Sequence, residues 1–195
     1  MINQPGNLDY TKKLKKSDII KIVVLVIIAA AIFVTGLLLN DMSNKNVFTI
    51  VAILFSLPVA KILTRLIIIF PSKQVKSDEY EEVVGAAEKK GCEYKLFPSV
   101  VITSEKKVMY MDYIFIIKGV VIGLVRNKKT LDKNGLQYVQ DYLKKGVNNY
   151  GSGYTVRMHK DSHKFLEDLK GIKEKDVSKS DEEGVIDYID SLIVR

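Results

Sequence analysis

The first apolar segment of the chain is long enough to cross a membrane. From Ile22 to Leu39, 18 consecutive residues carry no charge. With Ile19 and Ile20 added, the run covers about 30 Å at 1.5 Å per residue. A cleaved signal peptide would have an apolar region of only about 7–15 residues, followed by small residues. This run is longer and is followed by polar residues 40–41, so the pattern predicts an uncleaved transmembrane helix over about 19–39.

A second apolar segment begins at Val47 and continues to Phe70, interrupted by Lys61 and Arg65. These two residues share one helical face, and their long stems can reach the headgroups, so we interpret them as lipid-interface residues. An anionic-lipid or substrate site at the same two residues is the alternative. Pro58 can kink the helix. The span either runs tilted to about residue 70, or it ends near Lys61 and is followed by an interfacial segment. The short connecting loop makes the two spans a helical hairpin.

Basic residues are concentrated around these spans. Residues 1–74 hold nine Lys or Arg and three Asp, whereas residues 75–195 hold 21 basic and 20 acidic residues. The net charge of +7 therefore belongs mostly to the membrane-proximal part, and the nearly neutral remainder lacks the field that phosphate binding requires. We therefore expect the lipid bilayer as a partner and do not expect nucleic acid. The positive-inside rule places both termini in the cytoplasm of a bacterial inner or cell membrane.

The C-terminal part shows the periodicities of a cytosolic α+β domain. A helix opens at Ser77 or Asp78, which can cap it, and closes at Gly91. Lys118 and Gly119 form a two-residue hairpin turn between two strands. The predicted order is αβββαβ plus C-terminal helices: strands at 94–103, 107–117, 120–126 and 154–160, and helices at 77–90, 131–145, 162–169 and from a capping box at 180–183 onward. The chain thus divides into a basic cytosolic segment (1–18), a transmembrane hairpin (19–70) and a cytosolic domain (75–195).

Cysteine and histidine offer little chemistry. The single cysteine, Cys92, rules out an intrachain disulfide, fits a reducing compartment and is interpreted as a small residue near a helix end. His159 and His163 have the i,i+4 spacing of a metal site on a helix. Because Asp161 and Ser162 mark a helix start between them, we expect two exposed histidines, with no metal and no cofactor.

Asp112 is the one carboxylate inside the long apolar run from Met111 to Val125. With the turn at 118–119, Ile117 pairs with Val120 and Asp112 pairs with Val125. Strand alternation then places Asp112 on the face that carries Gly123 and Val125. Three interpretations stay open: a structural carboxylate that meets solvent or binds a nearby Lys or backbone donor, a degenerate active site, or a working acid.

The order of elements from about residue 78 to residue 159, together with Asp112, resembles the core of restriction-endonuclease-like proteins, including nuclease-related domains found beside membrane spans. The resemblance implies a Mg²⁺ site built from a strand Asp and an acidic residue on the next strand, where a Lys positions the attacking water. Gly123 and Val125 occupy the positions of that acid and that Lys, so the resemblance implies a domain that has lost its catalytic residues. The chain is also similar to short bacterial two-span proteins with a glycosyltransferase-like label, although it carries no sugar-nucleotide motif.

These observations predict a membrane-anchored, non-catalytic protein whose cytosolic domain binds a protein partner or a second copy of the chain. The amphipathic last helix is the candidate contact. The alternative is a membrane-tethered enzyme, nuclease-like or transferase-like, with Asp112 as its candidate catalytic residue. In a third hypothesis the spans themselves act, through Lys61, Arg65 and Pro58.

Overall fold

The computed structural model describes residues 6–91 and 93–195 of the chain, and the prediction for Cys92 lies outside the described residues. Two long apolar stretches of helix precede a domain with a mixed four-stranded sheet and helices, which confirms the coarse fold class. The elements are α1 (Tyr10–Leu39), α2 (Val47–Leu54), α3 (Ser56–Ile69), α4 (Ser77–Glu88), β1 (Tyr94–Thr103), β2 (Val108–Ile117), β3 (Val120–Leu124), α5 (Gly135–Tyr150), β4 (Thr155–His159), α6 (Ser162–Gly171) and α7 (Lys179–Leu192).

The contacts divide the chain into a hairpin unit, Lys12–Pro71, and a domain unit that joins Ser72–Arg195 with the residues up to Thr11. Helix α1 already begins at Tyr10, so it includes all five basic residues that precede the apolar run. Helix α1 and the stretch Val47–Ile69 are both long and apolar enough to cross a membrane, and their most apolar windows are almost wholly exposed.

The second apolar stretch consists of two helices that meet at Phe55. Pro58 has no N–H, so it cannot donate to the carbonyl of Leu54, which is the last residue of α2. The interruption therefore lies one turn before the proline. Helix α3 then continues through Lys61 and Arg65 to Ile69, so the backbone stays helical over the length that the tilted span requires.

The turn end of the hairpin is fixed by Gly36 and Asn46. The Asn46 side chain caps α2 by accepting from the Thr49 backbone N–H at 2.9 Å, and its amide donates to the Gly36 carbonyl at 3.2 Å. A Cβ on Gly36 would overlap the side chain of Phe48. The glycine therefore lets α2 approach α1 closely.

The sheet has the strand order β1-β2-β3-β4, with β1–β2 and β2–β3 antiparallel and β3–β4 parallel. Ile117 pairs with Val120, which confirms the predicted hairpin at residues 118–119. Gly119 has φ +78°, a left-handed conformation that favours glycine. Helix α5 makes the crossover from β3 to β4, so the carboxyl ends of these two strands lie at the same edge of the sheet.

Helices cover both faces of the sheet. Helices α4 and α6 pack on the face that carries Tyr113, Phe115 and Ile122, where all of these strand side chains are buried. Helix α5 packs against β4, and α7 packs against α5 and β1. This coverage explains why β2 is apolar on both of its faces, as the sequence predicts.

Both boundaries of helix α5 differ from the predicted ones. Helix α5 begins at Gly135 and not near 131, because the loop before it is fixed by buried Thr130, whose hydroxyl accepts from the Tyr110 N–H at 2.8 Å. It runs on to Tyr150, through the residues predicted as a turn, since Val147 is fully buried in its last turns.

The predicted caps are also corrected. Helix α7 is capped by Ser178, whose hydroxyl accepts from the Asp181 N–H at 3.1 Å, and not by Ser180. Helix α4 is preceded by Lys76 and has no side-chain cap at Ser77.

The apolar face of α7 is used within the domain. Val185 and Ile189 are fully buried, and Ile193 forms an isolated bridge with Ile102 of β1. The amphipathic last helix is the predicted contact for a partner. Val185, Ile189 and Ile193 complete the domain core and are not available to a partner, whereas Ile186 and Leu192 of the same helix are partly exposed.

Candidate functional site

Asp112 lies in a polar cluster with Arg126, Glu79 and Ser162, at the carboxyl ends of β3 and β4. Its Oδ2 accepts from the Arg126 backbone N–H at 2.8 Å, and its Oδ1 accepts from Arg126 Nη2 at 3.0 Å. The β2–β3 ladder ends at Tyr113–Leu124, so the predicted strand pair between Asp112 and Val125 does not form. Instead the Val125 N–H donates to the His159 carbonyl at 2.8 Å, because the segment after β3 continues alongside β4. The first interpretation of Asp112, a structural carboxylate with a backbone donor, fits this geometry.

Arg126 joins Asp112 to two helices. Its Nη1 lies 2.8 Å from Glu79 Oε1 and donates to Ser162 Oγ at 3.2 Å. Burial on its own lowers the pKa of Arg126, but the hydrogen bonds and charges of Asp112 and Glu79 outweigh it and raise that pKa. The guanidinium therefore stays charged between two carboxylates.

Local sequence places the two helical members of this cluster. Glu79 lies in the first turn of α4, where a carboxylate is favoured by the helix dipole. Ser162 is the first residue of α6, whose N-cap Asp161 accepts from the Lys164 N–H at 3.0 Å. Both helix starts thus reach the edge of the sheet where ligand sites commonly lie in α/β folds.

A second polar group lies on β4 and α6. His159 Nε2 lies 2.9 Å from Asp168 Oδ2, and Arg157 pairs with the same carboxylate. The His159 side chain is only 20% exposed, so the prediction of two exposed histidines is wrong for His159 and right for His163, which is 81% exposed. His159 ends a strand and His163 is in a helix, so they do not share the helical face that an i,i+4 metal site needs.

Tyr113 is buried beneath the cluster. Its ring stacks on Phe165 with centroids 5.8 Å apart, and its hydroxyl has no hydrogen-bond partner among the described residues. Burial raises the pKa of Tyr113, and the charge of Glu79 raises it further, while Arg126 opposes this effect. The phenol therefore stays protonated and is unsuited to act as a base.

The carboxylates of both polar groups are paired with arginines within the domain. Arg126 pairs with both Asp112 and Glu79, which leaves one net negative charge, and Arg157 pairs with Asp168. Within residues 6–91 and 93–195, no group of three or more His, Cys, Asp or Glu side chains is placed to hold a metal ion. The arrangement is suited to joining α4, β2, β3 and α6.

Gly123 and Val125, the positions that the resemblance to restriction-endonuclease-like proteins would assign to an acid and a lysine, have apolar surroundings. A Cβ on Gly123 would lie 2.6 Å from Met158 Sδ and 3.1 Å from Met111 Cε. Val125 is fully buried. Gly123 thus makes room for two methionine side chains, and neither position offers a ligand atom to a cation.

The hairpin contains a buried ion pair. Arg65 Nε donates to Asp18 Oδ2 at 2.7 Å and its Nη2 donates to Oδ1 at 2.5 Å. The Asp18 side chain is fully buried. The pairing of Asp18 with Arg65 cannot be predicted from the sequence, because no local periodicity links residues 47 positions apart. Lys61, the other predicted interface residue, is exposed.

A row of tyrosine rings runs along α5 and α7. Tyr138 and Tyr142 stack with centroids 6.2 Å apart, and Tyr150 and Tyr188 stack at 4.9 Å. A Cβ on Gly146 would overlap the Tyr188 ring, so the glycine lets the two helices approach. We call these four side chains the tyrosine row. Its signal in the sequence is the i,i+4 spacing of Tyr138 and Tyr142, and its continuation onto α7 requires the fold.

Comparison of the chain with protein-family models, with curated proteins and with solved structures finds no match. The function is therefore inferred from the geometry of the hairpin, the polar cluster and the tyrosine row.

Proposed function

We propose that this protein is a membrane-anchored, non-catalytic protein whose cytosolic domain binds a protein partner. The hairpin of α1 with α2 and α3 lies in a bacterial inner or cell membrane, and both termini are cytoplasmic. The observation that carries the anchor is the exposed apolar surface of the hairpin, where side chains such as Ile27, Leu38 and Leu57 have no protein cover. A surface of this extent requires a membrane or a partner.

The orientation rests on charge. Lys12, Lys13 and Lys16 precede the first apolar run, and Lys73 and Lys76 follow the second, whereas the connecting loop holds only Lys45. Translocation of Lys-rich segments is disfavoured, so the end of the hairpin that carries the termini stays in the cytoplasm.

The tyrosine row supports the interaction role. Aromatic side chains are enriched at protein interfaces because they bury a large area at a low cost in rotamer entropy. Tyr150 is 52% exposed, and its ring extends an aromatic surface that spans two helices. We therefore assign the partner contact to this surface. Val185 and Ile189 of α7 cannot contribute to it, since they are fully buried.

The partner contact can be tested with a photocrosslinking amino acid. The full chain carries it at Tyr142, and a matched variant carries it at Glu81, an exposed position on α4. In native membranes we expect a discrete protein adduct from position 142 and none from position 81. An adduct of two copies of this chain identifies self-association, and equal labelling from both positions contradicts the proposal.

A membrane-tethered enzyme is the second candidate. The position of Asp112, Glu79, Ser162 and His159 at the carboxyl ends of two parallel strands favours it. Purified full-length protein is incubated with DNA or RNA and Mg²⁺ or Mn²⁺, beside an Asp112→Ala control. Metal-dependent cleavage that disappears in the control supports the enzyme, and equal background from both proteins supports the non-catalytic function.

A further inference from the structure

The hairpin unit carries an uncompensated group of lysines at the end where its termini lie. Five lysines of Lys12–Pro71 are exposed here, and within the described part of the chain none of them forms an ion pair: Lys12, Lys13, Lys16, Lys21 and Lys61. We call this group the lysine belt. Its members on α1 extend over about 14 Å of helix, at 1.5 Å per residue.

Within Lys12–Pro71, the buried ion pair leaves little negative charge to oppose the belt. Lys12–Pro71 contains two carboxylates, Asp18 and Asp41. Asp18 is fully buried and is bound by both Nε and Nη2 of Arg65, so it contributes little field to the belt. Asp41 lies past the other end of α1, about 35 Å from Asp18 along the helix axis.

We propose that the lysine belt binds the headgroups of anionic phospholipids and enriches these lipids around the hairpin. This inference rests on the proposed membrane insertion. The belt lies where the apolar run begins, which is the level of the headgroups once the helices cross the bilayer. Lysines are flexible point charges without the planar fork of arginine. The belt therefore selects for negative charge and does not distinguish between anionic headgroups.

The chain has no tryptophan, so one introduced tryptophan is a unique probe of the surrounding lipid. Ile19→Trp places it beside the belt, and Leu39→Trp places it at the turn end of the hairpin; both native side chains are exposed. Each full-length variant is reconstituted in vesicles of phosphatidylcholine with about 20% phosphatidylglycerol. Bromine is carried on the acyl chains of one lipid or of the other, and tryptophan quenching reports the local composition.

We expect quenching at Ile19→Trp to show an enrichment of phosphatidylglycerol of about three- to tenfold, since each lysine near an anionic surface adds a modest attraction. At Leu39→Trp we expect no enrichment. Replacing all five lysines by Gln abolishes the effect, whereas replacing them by Arg retains it. Raising the salt concentration weakens it, because the interaction is screened.

Two failures are distinguishable. The lipid inference is overturned if both tryptophans are quenched strongly but without preference for phosphatidylglycerol, or if the Gln variant keeps that preference. In both cases the proposed membrane insertion is retained. If neither brominated lipid quenches either tryptophan, the helices are outside the bilayer and the proposed function fails with the inference.

Discussion

Asp18 and Arg65, 47 residues apart in the chain, are joined by two hydrogen bonds of 2.7 and 2.5 Å within the hairpin. One helix turn earlier on α1, Lys15 Nζ donates to the Phe70 carbonyl at 3.0 Å. Polar contacts from α1 to α3 thus occur at the end of the hairpin that lies far from the connecting loop. In an apolar surrounding such contacts fix how two helices align, because each unpaired alternative leaves a buried charge.

Breaking this pair should loosen the hairpin. We expect Asp18→Ala to lower the free energy of unfolding by about 2–3 kcal/mol, less than the loss for a wholly buried pair because the Arg65 side chain is 27% exposed. The measurement is equilibrium unfolding of the full chain in detergent micelles. The exchanged variant, Asp18→Arg with Arg65→Asp, should recover part of the loss. Lys61→Gln, on the same helix but exposed, serves as the control and should change little.

Removing Arg126 should destabilise the domain. Arg126→Ala leaves the Asp112 and Glu79 carboxylates without their shared cation, which we expect to cost about 2–3 kcal/mol because hydrogen bonds to charged groups are lost. Arg157→Ala is the matched control. It removes an arginine from a more exposed pair and leaves Asp168 with His159, so it should cost less than about 1 kcal/mol. Equal losses from the two variants in chemical denaturation would show that the cluster does not join the elements.

Gly119 is constrained both by its backbone and by a neighbour. Its φ is +78°, and an added Cβ would lie 2.5 Å from the Cβ of Lys175, whose N–H donates to the Lys118 carbonyl at 3.0 Å. We expect Gly119→Ala to destabilise the protein by about 2–4 kcal/mol, from backbone strain and overpacking together.

Gly153 offers the comparison that separates these two effects. It has φ +79° but open space around its Cβ position, so Gly153→Ala reports the strain alone and should cost less. Thermal unfolding of both variants measures the difference. If the two substitutions cost the same, the segment around Lys175 does not press on the hairpin turn as the geometry indicates.

Tyr188 should make the stability depend on pH in the alkaline range. Burial, together with the nearby Tyr142 and Tyr150, raises the pKa of Tyr188 to about 12. An unfolded tyrosine has an ordinary pKa of about 10. The folded protein therefore keeps this proton while the unfolded chain loses it. The associated stability is full below about pH 10 and is lost as the pH rises toward 12.

Denaturant unfolding at a series of pH values between about 8 and 12 measures this loss. We expect Tyr188→Phe to flatten the decline relative to the parent chain, because the substituted ring cannot ionise. An unchanged slope would mean that the Tyr188 hydroxyl is better hydrated than its position between α5 and α7 implies.

The sequence by itself determined the features that are encoded locally. An uninterrupted apolar run from Ile22 to Leu39 specifies a helix of membrane length, and the turn at 118–119 fixes the pairing of β2 with β3. The β-branched and aromatic residues of β2 favour a strand. Only the register with Ile117 opposite Val120 keeps the turn between β2 and β3 short. Such patterns can be read because neighbouring residues share one periodicity.

The tertiary structure alone decided the contacts between distant segments. Asp112 is joined to Glu79 by Arg126, and Asp18 meets Arg65, although neither pair is close in sequence. Helix α7 packs part of its apolar face into the core. Its periodicity in the sequence was equally compatible with a contact to a partner. The physical reason is that periodicity defines which face is apolar or charged, whereas the packing of the whole chain decides what covers that face.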